Sequence, residues 1–229
     1  MNRNPKSDRA SRKQYIFGPG LASVFLIFLM ASTGCVSLLS NVLYVIKGKD
    51  TPAEFDDLKG KKVAVLVSNN GVHTWDAVSV VLAKHINLHL AAKVKKIQLI
   101  SQDMVEGVCQ DQPLGQMDLE QVASRLGADY VIDASISDLK LREGQTLFRG
   151  RCTTAVVVYK KGESGAVFRK SFPEYIYPST GAPVTEMDES TFQRAYLTLV
   201  AGRIARVFYP YDPTEDVAMD AAITSAFNF

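Results

Sequence analysis

No charged side chain occurs between Gln14 and Ile46, a run of 33 residues that follows a basic patch of Arg3, Lys6, Arg9, Arg12 and Lys13. Nothing else in the sequence restricts the chain so strongly. About 20 apolar residues cross a bilayer core, so an uncleaved transmembrane helix fits the run. A signal peptide fits it too. Gly18, Pro19 and Gly20 break the early part and leave a compact apolar stretch from Leu21 to Met30. That stretch has the size of a signal-peptide core, roughly 7–15 residues. Small residues then follow, Ala31, Ser32, Thr33 and Gly34, directly before Cys35.

Small residues suit a peptidase that accepts an extended backbone in a narrow cleft, and the pattern resembles the lipobox of bacterial lipoproteins. In that motif the cysteine thiol is acylated and becomes the new terminus. Gly34 and Cys35 match it, whereas Ser32 stands where an aliphatic residue is usual. Two readings stay open. In the first, residues 1–34 are a signal peptide and Cys35 is the lipid-attachment site, a palmitate acceptor. In the second, the segment is an uncleaved membrane anchor. The basic residues ahead of the apolar run orient both alike, with residues 1–14 cytoplasmic and the body extracytoplasmic. Residues 35–57 then form a juxtamembrane segment, still apolar through "VSLLSNVLYVI".

Charge follows the same division. Residues 1–34 carry five basic side chains against Asp8 alone, and the remainder holds 21 basic against 23 acidic residues. The body therefore has no basic footprint for nucleic acid. Cys109 and Cys152 remain once Cys35 is assigned to lipid. In an oxidising compartment such a pair invites a disulfide, and closing a loop of this size adds roughly 3–4 kcal/mol. The alternative is two buried thiols packing as small hydrophobes.

Along the body, Thr51-Pro52 reads as a helix start ending by Gly60. "KKVAVLVS" (61–68) is a Val-rich buried strand. A long helix spans about 74–94, a short strand 96–101, and Ser101 caps a helical turn. "MDLEQVASRLG" is a helix stopped by Gly127. "DYVIDASISDLKLR" alternates Tyr130, Ile132, Ala134 and Ile136 inward, with a phase slip at Asp138–Leu139 that predicts a bulge. Two further antiparallel strands complete a meander. A loop over 178–186 precedes a final helix over 190–208. The fold class is α/β (α+β): one mixed-sheet domain over residues 58–212, order β-α-β-α-β-β-β-α, with a poorly ordered tail at 213–229.

Catalytic templates are absent. No Gly-x-Ser-x-Gly elbow, Walker A loop or Gly-x-Gly-x-x-Gly follows a strand. The loop "SNNGVHTWD" (68–76) sits where a phosphate cradle would but has a single glycine. His85 and His89 are four apart on the long helix, yet both fall in its apolar arc. Ile86 stands where a zinc helix of the His-Glu-x-x-His type needs Glu. They read as neutral histidines in a core or subunit interface, so no metal site is expected. The apolar arc, including Val78, Val81, Leu82, Ile86, Leu88 and Leu90, is too wide for cover by one sheet. This predicts burial on two sides, and hints at self-association. Tyrosines beside prolines, in "FPEYIYP" and "FYPYDP", read as loop packing or as contact surface.

The Cys35 motif, "LKGKKVAVLVSNN" (58–70), "VASRLGADYVIDASI" (122–136), the meander and the final helix together resemble the CsgG/LpoB-like group of bacterial lipoproteins, over about residues 58–210. The resemblance implies an anticodon-binding-domain-like periplasmic domain that acts through protein contacts. One branch of the group activates peptidoglycan synthases and another forms export channels. The hairpin tip "LKLREGQTLFRGR" carries charge on both faces and offers no lipid-facing band, which disfavours a pore. The group implies no catalytic residues and no cofactor. The expected function is that of a non-catalytic, membrane-tethered lipoprotein of the bacterial cell envelope, binding a protein partner or its own copies. The alternative is a single-pass membrane protein whose extracytoplasmic domain binds a small ligand or polysaccharide at the 68–76 loop.

Overall fold

Six consecutive residues of strand β1 (Lys62–Asn69) are buried, from Val63 to Ser68. A strand can hide successive side chains only if both faces of its sheet are covered. In this computed structural model both are. Val63, Val65 and Val67 join the larger core, and Ala64 and Leu66 a smaller one on the opposite face. Residues 50–111, 117–185 and 187–214 are the ones described; the leader, Cys35 and residues 215–229 lie outside them.

The sheet has five strands in the order β2-β1-β3-β4-β5. Strands β2 (Gln98–Leu99), β1 and β3 (Tyr130–Glu143) run parallel. Strands β3, β4 (Leu147–Lys160) and β5 (Ala166–Pro183) form the antiparallel meander. Helices α1 (Ala77–Lys93) and α4 (Glu189–Ala205) supply the larger core with Leu82, Ile86, Leu90, Phe192, Tyr196 and Ile204. Helices α2 (Gln102–Gln110) and α3 (Leu119–Leu126) cover the other face with Val105, Cys109, Val122 and Leu126. A mixed α/β sheet is thus the fold, in the expected order, with the second helical element divided into α2 and α3.

Local chemistry explains the element ends. Asp76 caps α1 by accepting from Ser79 N at 2.8 Å. Asp118 caps α3 by accepting from Glu120 N and Gln121 N. Gly127 ends α3 with φ 59°, the left-handed conformation that a Cβ disfavours. The phase slip in β3 is real. Asp138 has φ 56° and the β3–β4 register shifts between Ser137 and Lys140.

Three local expectations fail. Thr51 starts no helix; it exchanges backbone hydrogen bonds with Tyr211, and Glu54 N and Phe55 N donate to Val207 O. Phe55 then packs its ring against Tyr130, Phe168 and Phe208. Long-range pairing overrides the local cap signal, and the folded unit takes in residues placed in the juxtamembrane segment. Strand β5 continues to Pro183 rather than ending at 178, because Ala182 and Pro183 pair with Phe148 and Leu147 across a register shift. The strand expected at 96–101 shrinks to Gln98–Leu99.

Candidate interaction surface

Helices α1 and α4 pack side by side on one face of the sheet. His85 and His89 face α4: His85 Nε2 is 3.4 Å from Thr198 Oγ1, and a Cβ on Gly202 would lie 3.4 Å from His89 Nε2. Burial lowers both histidine pKa values, with added repulsion from Lys84 at His85 and from His85, Arg206 and Lys93 at His89. Both are half-buried where α1 packs against α4. Among the described residues no group of His, Cys, Asp and Glu is disposed to hold a metal.

The third side of α1 has no cover within the described residues. Val80 is 43% exposed, Leu88 54%, and Met104 on the adjoining α2 55%. Beside Val80 and Leu88 runs an apolar groove of about 430 Å³, lined also by Ala91 of α1, Leu99 of β2 and Gln102 of α2. Because β2 is a two-residue edge strand, the sheet does not extend beneath both helices, and the groove stays open. The wide apolar arc of α1 signalled Leu88 in advance. Val80 and Leu99 carried no such signal, since they belong to different elements and the groove exists only once those elements are packed.

The loop after β1 is closed on itself. Asn69 donates to Asp76 Oδ2 at 3.1 Å, Thr74 donates to the same oxygen at 2.6 Å, and Asn70 Oδ1 accepts from Asp138 N at 3.1 Å. These side chains brace the bulge of β3 rather than present donors to a phosphate. His73 Nε2 meets Asp133 Oδ1 at 3.0 Å, both side chains less than one-fifth exposed. That pair, unseen in the sequence, ties the loop to β3.

The two remaining cysteines do not bond. Cys109 on α2 and Cys152 on β4 are free thiols in the two separate cores, on opposite faces of the sheet. The possible disulfide is therefore corrected to two buried thiols. Burial pushes Cys109 up to about 11 against the pull of Arg125, and raises Cys152 against the hydrogen bond from Tyr196 Oη at 3.2 Å. The tyrosines near prolines pack inward: Tyr177 and Tyr209 are buried, and Tyr175 stacks on Tyr196. Cys35 lies outside the described residues, and no described helix is long and apolar enough to cross a membrane.

No family model matches the chain, and no curated protein matches it. Among solved structures, the PelC dodecamer from Paraburkholderia phytofirmans is 12% identical, covering 70% of this chain and 95% of that one at a TM-score of 0.44. Lipoprotein GNA1162 from Neisseria meningitidis is 10% identical over 63% and 98%, at 0.42. The LpoB C-terminal domain from Salmonella enterica is 16% identical over 61% and 93%, at 0.34. Several of the similar structures are thus bacterial lipoproteins. At TM-scores below 0.5 these likenesses assign no activity or partner to this chain.

Proposed function

We propose that the chain is a membrane-tethered component of a bacterial cell envelope, related to the CsgG/LpoB-like lipoproteins, that works through protein contacts rather than catalysis. Cys35 is its lipid attachment and the folded domain stands on the extracytoplasmic side. The observation that carries the reading is the open flank of α1, where the exposed Val80 and Leu88 line an apolar groove. An exposed apolar groove on a helix flank is the kind of surface that marks a protein–protein contact, and its shape suits an amphipathic helix laid in a groove. The β1–α1 loop, whose polar side chains bond to one another, offers less to a small ligand.

Two measurements test this. Radiolabelled palmitate is expected in the wild-type chain and not in Cys35→Ala; label retained in that variant rejects the attachment site. Sedimentation of the detergent-solubilised full chain from membranes is expected to show a complex larger than one chain. Val80→Asp combined with Leu88→Asp reduces it to one chain while the unfolding transition stays in place. A wild-type chain that already sediments alone contradicts the contact role.

A further inference from the structure

Two lysine-rich stretches meet at one end of the domain. "KGKK" (59–62) leads into β1, and "KVKK" (93–96) follows from the last residue of α1. Gly60 N donates to Lys95 O at 3.2 Å and Gln98 N to Lys61 O at 2.9 Å, so the two stretches lie against each other. Lys59, Lys61, Lys93, Lys95 and Lys96 are all exposed. Among the described residues Lys59, Lys61, Lys95 and Lys96 make no ion pair. Lys96 also holds φ 58°, a left-handed conformation that strains a side chain of its kind. Strain of this sort gathers at functional positions, and here the charge is what the residue offers.

The acidic residues of this end are fewer and largely engaged. Asp129 accepts from Lys62 N at 2.8 Å, Glu163 pairs with Lys160 and Glu54 with Lys170. Asp57 acts on Tyr130 and Lys160, at the start of β3 and the end of β4. Asp50, Asp56 and Asp212 are the remainder. The chain arriving from Cys35 joins the domain at this same end. Thr51 exchanges backbone hydrogen bonds with Tyr211, Phe55 packs on Tyr130 at the start of β3, and the buried Leu58 leads directly into Lys59.

From this placement we propose that the paired lysine stretches are a docking surface for the anionic phospholipid headgroups of the membrane that carries the chain. Neither stretch contains an arginine. Flexible, strongly hydrated ammonium groups suit phosphates spread over a surface, whereas one planar anion held in fixed geometry calls for guanidinium. Lysines close to an anionic leaflet are attracted to it individually, and the attractions add. Entry of the chain at the lysine end favours the membrane over an acidic protein. The inference rests on the lipid attachment proposed for Cys35 and adds an orientation: the C-terminus of α1 is set down on the headgroups and the groove beside it is left open to a partner.

The test uses the full chain in lipid nanodiscs of phosphatidylcholine alone or with about one-third phosphatidylglycerol, treated with a water-soluble acetylating reagent and read lysine by lysine by mass spectrometry. In the anionic discs Lys59, Lys61, Lys95 and Lys96 are expected to react at least about threefold more slowly than in the neutral discs. Lys140, exposed on the far part of β3, is expected to react alike in both. The protection is expected to vanish in about 0.5 M salt, where screening shortens to roughly 4 Å. Lys95→Gln plus Lys96→Gln is expected to weaken the protection of Lys59 and Lys61, as a shared surface requires. Equal reaction in both discs, equal protection of Lys140, or protection reproduced in neutral discs by free glycerol phosphate overturns the proposal. Any of these in a chain that co-elutes with both kinds of disc rejects the orientation and leaves the tether; a chain that co-elutes with neither rejects both.

Discussion

A glycine on β4 decides how the largest buried aromatic is housed. A Cβ on Gly150 would sit 2.3 Å from the Tyr196 ring, whose hydroxyl donates to Tyr175 O at 2.7 Å. Gly150→Ala is expected to cost about 3 kcal/mol, the upper range for overpacking, read as a lower denaturant midpoint. In a Tyr196→Ala background the same change is expected to cost less, because the clash is gone. The buried thiols make a second test. Raised thiol pKa values and burial leave Cys109 and Cys152 unlabelled by iodoacetamide in the native protein. Both are expected to label once unfolded without reductant; a 109–152 linked peptide would contradict the two-core arrangement. Neither fact was readable in the sequence. Spacing permits a bond between two cysteines but does not say which face of a sheet each one occupies, and Gly150 sits among alternating residues that look like any strand.

At the scale of elements, caps and stops were the most legible features. Gly127 as the end of α3 and the bulge near Asp138 both follow from local backbone chemistry. The false helix at Thr51 shows the limit, since its backbone groups are claimed by Tyr211 and Val207, far along the chain. Asp76 caps α1 under opposed influences. Burial works against its charge, but hydrogen bonds from Thr74, Ser79 and Asn69 outweigh it and lower the pKa. A lowered carboxylate pKa contributes stability above the unfolded value near ~3.9 and loses it as pH falls through the folded one. The stability margin of wild type over Asp76→Asn is therefore expected to be constant from about pH 5 to 7 and to shrink towards zero in stronger acid. The α1–α4 contact has the opposite chemistry. With His85 and His89 lowered, the unfolded state takes up protons first, so stability falls as pH drops through the unfolded histidine value near ~6.5. Replacing His89 with Gln is expected to flatten that loss between about pH 7 and 5, as followed by thermal unfolding.

For the molecule as a whole, the mixed sheet and its order were legible because strand and helix periods differ and turn residues punctuate them. The groove was only half legible. Leu88 stood out in an arc too wide for one sheet, and the arc does meet two neighbours, the sheet and α4. Its remaining side became a surface only where β2 stops after two residues and α2 turns away. The proposed function joins a proposed tether at Cys35, outside the described residues, to the open flank of α1. Photo-crosslinking in intact cells from benzoylphenylalanine at position 88 tests that union most directly. The account predicts adducts to an identified envelope polypeptide, reduced by Val80→Asp and absent when the probe is moved to exposed Lys161 on the β4–β5 turn. Equal adducts from both positions, or no intermolecular adduct from position 88, would contradict it.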